Sequence, residues 1–574
     1  MSTSELIPRP HWALSCHDIL CTIFEQFVVA EDKWSDYDTS IGDANSWFAR
    51  RADASRRRTL ARCARVCKAF FAPAITVLWR DIDNLSPLLT AMRSSLRSAA
   101  AAPMVFEQRM RVSEYARHIR AVHGLGKPSQ APEQDFSALE GWMEAAPLLP
   151  QLQRMRWVQA VPSGTELLHL VPSSLHSLHI IFRKSPTWSD SDSVSLHGQP
   201  SKYELYVRSL LKEVTARIPK LRYLRVSTTG DIPESWLEPL CSLSSLENVD
   251  LLERIYSEVM TAPLLGPLAS LRNLQTLKLR LPIDLPSNME RDGFPTLESL
   301  ILDTMFAPLR TVSTFLSTIT SQRLSSLLIQ GCECTTDAVT SSLYDTCDVV
   351  RTRFASSLRT FELSLRGVGP PGAHHQPLVR AIEPLLDLHD LRDVCISIAP
   401  EVAVVPASEH DLERMAEAWP RATRLHLAYF PSAASPSLKD IAGFAQHCLG
   451  LTDLVLPGID ASAATAGIEN LKQAPLAAAH SDSKEGAEAM EVEDAGNEPE
   501  KAPHGLRSLC LSDSGWNSYI PDPLLLAKFL DALFPEVEWK CPPLASEHWR
   551  ETIQEVMNLR IMRLVSQRVR PSKR

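Results

Sequence analysis

A short motif of apolar positions, L-x-x-L-x-L, recurs along most of the chain. In residues 271–281 it is formed by Leu274, Leu277 and Leu279. The last two positions alternate with polar residues, and a period of two predicts a short β-strand with one buried face. One such strand cannot bury its apolar face alone, whereas a stack of strands can. The motif therefore predicts an array of stacked repeats.

The motif occurs twelve times. Its first positions are Leu152, Leu175, Leu221, Leu246, Leu274, Leu297, Leu324, Leu358, Leu391, Ala422, Leu451 and Leu506. Most intervals between these positions are 23 to 34 residues long, which is enough for a strand and a returning helix. Several intervals carry apolar residues at helical spacing, and we interpret these as helices that cover the strands. Together, the twelve copies predict an α/β repeat fold.

A different apolar pattern lies near the N-terminus. Ile19, Leu20, Ile23 and Phe24 fall on one face at helical spacing, and two further apolar helices are predicted, the last ending near Trp79. Three short helices form a domain with a marginal core. We therefore expect part of its apolar surface to contact a partner.

These N-terminal residues resemble an F-box, particularly the F-box-like form common in fungal proteins. The family pattern is L-P-x-E-I-L-x-x-I-F, then V-C-K/R-x-F/W after a gap, then L-W. The matching residues, within about 12–84, are Leu14, Asp18, Ile19, Leu20, Ile23 and Phe24, then residues 66–70, and then Leu78, Trp79 and Arg80. Ser15 stands where the family has proline. The gap is longer than in the compact form, as expected of a loop insertion, which costs little closure entropy.

The resemblance implies that the segment binds a Skp-type linker and so joins an SCF-type cullin–RING ubiquitin ligase. The side chains that it implies for this contact are Leu14, Ile19, Leu20, Ile23, Phe24, Val66, Cys67, Phe70 and Trp79. The alternative is that the three helices only cap the array, since terminal repeats need a cap.

The repeats resemble a leucine-rich-repeat array of irregular length. The family consensus continues to an inward Asn or Cys, and only the unit from Leu324 to Cys332 follows it cleanly. Residues that alternate with the buried leucines face outward and are expected to form one extended surface for a target protein. The predicted target-binding residues are Thr276, Lys278, Arg280, Ser299, Asp303, Gln330, Glu362, Arg424 and His426.

The predicted organisation has five segments. Residues 1–11 are a flexible N-terminus, 12–84 the F-box-like helical domain, and 85–145 a helical linker and the start of the array. Residues 146–540 form the leucine-rich-repeat-like solenoid, and 541–574 form a C-terminal helix and basic tail. Within the solenoid, 461–505 is predicted to be a disordered acidic insertion, because it has almost no large apolar residues. A solvated loop, a partner-binding tail and a phosphorylation site all remain open for it.

Charge and motifs exclude several functional classes. The net charge is −9, and residues 481–500 hold eight acidic residues against Lys484, so the rest of the chain has no strong field that would attract nucleic acid. The twelve cysteines show no metal-binding spacing and suit a reducing compartment. There is no P-loop, no G-x-S-x-G motif, no secretion signal and no apolar run that would span a membrane. We expect no catalytic residues, no metal or cofactor, and a cytoplasmic or nuclear location.

The main hypothesis is therefore a substrate-recognition adaptor of an SCF-type ligase that is not itself an enzyme. One alternative is a repeat-based protein-interaction scaffold with no role in ubiquitination. Another is a nuclear regulator whose basic ends, residues 50–68 and 568–574, contact nucleic acid. No aromatic residues are interleaved with the basic run at 50–68, so stacking on bases is not indicated, and a solvated helix face is the simpler interpretation.

Overall fold

The computed structural model forms two compact units, Met1–Asn273 and Leu274–Arg574. It describes residues 12–27, 44–90, 102–123, 147–159, 166–182, 202–228, 238–252, 265–283, 285, 293–304, 307–334, 339–367, 378–398, 404–405, 409–431, 438–457, 506–512, 523–533, 538–539 and 547–569. The predicted flexible N-terminus, 1–11, and the predicted acidic insertion, 461–505, lie outside the described residues.

The first unit begins with a cluster of helices. A 3-10 turn, Trp12–Ser15, precedes α1 (His17–Glu25), α2 (Ala44–Cys63) and α3 (Lys68–Arg80). Asp18 lies in the first turn of α1, where its charge is favourable to the helix dipole. All three helices supply side chains to one small core, which consists of Leu20, Phe24, Leu60, Ala64, Ala74 and Val77.

A parallel sheet completes the first unit. Its strands are β1 (Asp81–Ile82), β2 (Ala121–Val122), β3 (Arg154–Gln159), β4 (Ser177–Phe182), β5 (Tyr223–Thr228) and β6 (Asn248–Asp250), and they pair in chain order. Helices α4 (Ala102–His118), α5 (Glu166–Leu170), α6 (Lys202–Arg217) and α7 (Leu265–Ala269) and a 3-10 turn, Glu238–Ser242, lie between or after the strands. Since α3 leads directly into β1, the helical cluster and the sheet are joined without a linker.

The second unit repeats this arrangement. Its main parallel sheet contains β7 (Thr276–Arg280), β8 (Ser299–Asp303), β9 (Ser326–Cys334), β10 (Thr360–Gly367), β11 (Asp393–Ile398), β13 (Arg424–Ala428), β15 (Asp453–Pro457), β16 (Ser508–Ser512) and β17 (Glu538–Trp539), in that order. A separate parallel pair is formed by β12 (Val404–Val405) and β14 (Phe430–Pro431). The helices are α8 (Leu309–Ser317), α9 (Val339–Phe354), α10 (Leu378–Ala381), α11 (Glu383–Leu386), α12 (Glu409–Ala418), α13 (Leu438–His447), α14 (Pro523–Leu533) and α15 (Glu547–Val569).

Every one of the twelve predicted repeat units contains a strand. Where the structure describes their side chains, the motif leucines are buried; Leu274, Leu277 and Leu279, for example, are fully buried. Trp157 is an exception, because it is only half-buried and its Nε1 donates to Gln159 Oε1 over 2.7 Å. The fold is therefore α/β, with the long parallel strand ladder of a leucine-rich-repeat arrangement.

Side-chain hydroxyl groups form hydrogen bonds between successive repeats at one position of the repeat. In four repeats, a serine or threonine just before the first motif position donates to the carbonyl of the first motif position in the preceding repeat. The four bonds, which we call the hydroxyl ladder, are Ser174 to Leu152 (3.0 Å), Ser245 to Leu221 (2.9 Å), Thr296 to Leu274 (3.1 Å) and Ser357 to Leu324 (2.9 Å). Each bond satisfies a backbone carbonyl between strands.

The one repeat that follows the consensus places its cysteine inward. Cys332 is buried, and Thr304 Oγ1 donates to its Sγ over 2.8 Å. Burial raises the pKa of the Cys332 thiol to about 12. Gly331 just before it has φ 74°, and the register between β9 and β10 shifts there. This bulge needs a residue in the left-handed backbone conformation, which glycine adopts without strain.

Candidate protein-interaction surfaces

The N-terminal helical cluster exposes apolar side chains although its core is filled. They come from the 3-10 turn, α1, the α2–α3 turn and α3, and we call them the N-terminal apolar set: Trp12, Leu14, Ile23, Val66 and Phe71. The exposed fraction reaches 69% for Val66. The 3-10 turn, α1 and α3 all contact one another. Several large exposed apolar groups on so small a cluster are typical of a surface that another protein covers.

The structure divides the nine side chains that were assigned to the Skp-type linker. Leu14, Ile23, Val66 and Cys67 are exposed, whereas Ile19, Phe70 and Trp79 are half-buried. Leu20 and Phe24, with exposed fractions of 1% and 3%, lie in the core. Their assignment as contact residues is corrected accordingly: they pack against α2 and α3, and can affect a partner only by holding the helices in place.

Aromatic contacts explain two of the three half-buried positions, Phe70 and Trp79. The Phe70 ring packs edge-on against Phe24, with 5.6 Å between centroids. Trp79 stacks on Tyr115 of α4 at 4.8 Å with an interplanar angle of 3°. Trp79 thus ties the cluster to the following helix. Trp12 and Phe71 were missed, because they lie at positions that the family pattern leaves unspecified.

In the second unit, strand register arranges the outward residues into rows across the sheet. The first row is Thr276, Ser299, Ser326, Thr360, Asp393, Arg424, Asp453 and Ser508. The middle row is Lys278, Ile301, Leu328, Glu362, Cys395, His426, Val455 and Cys510. The third row begins with Arg280, Asp303, Gln330 and Ser364. Neighbours within a row are about 4.8 Å apart, so all nine predicted target-binding residues share one face, which we call the row face.

Ion pairs occupy both outer rows of the row face. Arg280 Nε and Nη2 donate to Asp303 Oδ2 over 3.0 and 2.7 Å. Arg424 donates to both oxygens of Asp393 over 3.0 Å, and these hydrogen bonds lower the pKa of the Asp393 carboxyl. Arg280 is only 7% exposed. Its prediction as a direct target contact is corrected, because its guanidinium joins β7 to β8.

The other predicted contacts remain accessible. Gln330, Arg424 and His426 are exposed, and Thr276, Lys278, Ser299, Asp303 and Glu362 are half-buried. Ile301 and Leu328 are neighbours in the middle row and are also half-buried. The row face therefore combines an apolar centre with neighbouring polar groups, which is the usual composition of a protein interface.

A cysteine lies between an acid and a histidine in the middle row, because Glu362, Cys395 and His426 are on successive paired strands. Burial, together with the negative charge of Glu362, raises the pKa of Cys395 to about 11. Although the His426 side chain reaches solvent, partial desolvation of its ring by neighbouring groups lowers its pKa. A raised thiol pKa disfavours the Cys395 thiolate, which is the form that a nucleophilic cysteine needs. The geometry suits binding.

The described part of the chain holds no group of three or more His, Cys, Asp or Glu side chains that could bind a metal ion. None of its helices is long and apolar enough to cross a membrane.

No family model matches this chain, and no curated protein does. A solved chain of the TLR13–ssRNA13 complex aligns with TM-score 0.32 and 14% identity, over 60% of this chain and 41% of that one. An LRR protein of Leptospira interrogans aligns with TM-score 0.31 and 12% identity, over 71% of this chain and 74% of its own. The repeat architecture rests on the strand pairing and buried motif described above.

Proposed function

We propose that the protein is a substrate-recognition adaptor of an SCF-type cullin–RING ubiquitin ligase. The observation that carries the proposal is the N-terminal apolar set, which stays exposed on a helical cluster that has already filled its own core. Burying such groups on a partner is favourable by about 25 cal/mol per Å² of apolar surface. By its F-box-like pattern, the partner is a Skp-type linker.

The row face would hold the target protein. Its strands pair with one another, so they present side chains rather than free backbone groups to a ligand. Ile301 and Leu328 supply an apolar contact, and Gln330, Glu362 and His426 supply nearby polar groups. The adaptor performs no chemistry. It raises the effective concentration of target lysines near the conjugating enzyme, in the cytoplasm or the nucleus.

Co-precipitation with a purified Skp-type linker tests the proposal. The variant Ile23→Asp with Val66→Asp places charges on two exposed positions, so the cluster should stay folded while the linker is lost. Leu449→Asp is the matched control, because Leu449 is an exposed apolar residue of the second unit, at 73%. Wild type and the control should retain the linker. The proposal fails if wild type does not retain it, or if the double variant retains it equally well.

One observation favours a second candidate, a repeat scaffold whose helical cluster is a cap. α3 leads directly into β1, and β1 pairs with the first strand of the array that follows, as a capping element would. The same experiment separates the two candidates, since a folded cap has no affinity for the linker.

A further inference from the structure

A strip of basic side chains follows the outer face of α2 and the turn after it. Arg58, Arg62 and Arg65 are exposed, and their spacing of four and three residues puts them on one side of the helix. Leu60 and Ala64 are buried on the opposite side. The amide of Arg65 still bonds the carbonyl of Arg62, so the turn continues the helical path. Exposed Lys68, at the start of α3, completes what we call the basic strip.

The basic strip differs from Arg57 and Arg80, which form ion pairs within the cluster. Arg57 pairs with Asp83 over 2.9 Å. Arg80 pairs with Glu25 over 2.9 Å and with Asp81 over 3.2 Å. No ion pair involves any residue of the strip within the described part of the chain. Like charges one helical turn apart repel one another, so an anionic partner would relieve a repulsion that the fold leaves uncompensated.

The surface next to the strip is apolar. Val66 follows Arg65 directly and is among the most exposed apolar residues, and Phe71 is exposed one turn into α3. An apolar centre with a charged rim is the arrangement of a protein–protein interface. A nucleic acid backbone would leave Val66 unburied, and no aromatic residues alternate with the arginines. The neighbouring surface therefore favours a polypeptide partner.

We infer that the basic strip (Arg58, Arg62, Arg65 and Lys68) is an electrostatic docking site for an acidic segment of the protein that covers Val66. The identity of that protein as a Skp-type linker rests on the proposed function. The strip steers the encounter, and the apolar contact then holds the complex. Charge attraction of this kind acts mainly on the association rate and weakens as ionic strength rises.

Association kinetics of the full chain with the purified linker test the inference. Arg58→Glu with Arg62→Glu should slow association at low ionic strength by about tenfold or more, with little change in dissociation. Arg58→Lys with Arg62→Lys should keep the wild-type rate. The matched control is Lys212→Glu with Lys220→Glu, which makes the same charge change at exposed positions of α6 and the turn after it. An unchanged association rate in the first variant overturns the inference.

A second arm does not depend on the linker. Fluorescence anisotropy measures binding of labelled poly-L-glutamate to the full chain at low ionic strength. Wild type and the Lys212/Lys220 control should bind it, and the Arg58/Arg62 glutamate variant should lose most of the binding. If the linker is not retained but this pattern holds, the proposed function fails and the docking site stands. If poly-L-glutamate does not bind while single-stranded RNA of matched charge does, the strip is a nucleic-acid site and the inference fails.

Discussion

At the scale of single residues, burial decides which apolar groups can meet a partner. Ile23 and Phe24 are neighbours that match the same family pattern, yet one is exposed and the other is core. The sequence predicts the stripe, because both lie on it. It does not predict which edge of the stripe faces inward, since that depends on where α3 packs. The role of Arg280 could not be predicted for the same reason, because it depends on a tertiary contact. Its guanidinium is buried against Asp303 on the next strand.

Replacing Phe24 tests this division. Phe24→Ala removes a ring that packs edge-on against Phe70, and truncating a buried phenylalanine costs about 3–5 kcal/mol. The small cluster cannot absorb such a loss, so α1 and α3 should separate and become susceptible to proteolysis. Ile23→Ala, at an exposed position, should cost no more than about 0.5 kcal/mol. Equal protease sensitivity of the two variants would contradict the assignment of Phe24 to the core.

At the scale of elements, each of the twelve copies of the repeat motif predicted a strand, and the structure contains all twelve. Alternation of buried residues is a local property, so a strand of five or six residues shows it clearly. β1 and β17 were missed, because each has two residues and no alternation, whereas β2 lies within the segment that was predicted to start the array. The hydroxyl ladder was missed for a different reason. Each donor and its carbonyl are more than twenty residues apart, so nothing in the local sequence reveals the bond.

The ladder should contribute to stability at each step. Ser357→Ala removes the 2.9 Å bond to the Leu324 carbonyl, and a hydrogen bond of this kind contributes about 1 kcal/mol. Urea unfolding followed by circular dichroism measures the change. Ser356→Ala is the matched control, because Ser356 is exposed and directly precedes Ser357 in the same turn, and it should change stability by less than about 0.5 kcal/mol. If Ser357→Ala were as mild as the control, the ladder would be incidental.

At the scale of the whole molecule, the helical cluster and the first sheet share the continuous segment from α3 to β1. The sequence placed the end of the F-box-like domain at 84, which assigns β1 to that domain. In the structure β1 pairs with β2 and covers its edge. An uncovered edge strand offers unpaired backbone groups to other chains. A deletion of the helical cluster that also removes β1 should therefore behave differently from one that keeps β1.

Two deletions separate these effects. Removing residues 12–84 takes away β1, and the chain should form larger assemblies through the exposed β2 edge, as measured by size-exclusion chromatography. Removing residues 12–78 keeps β1 and also Trp79, which stacks on Tyr115, so most of this protein should elute as wild type does. Neither deletion variant should retain the Skp-type linker. The variant that lacks residues 12–78 should still capture proteins that bind the row face. Identical elution of the two would show that β1 does not protect the edge of β2.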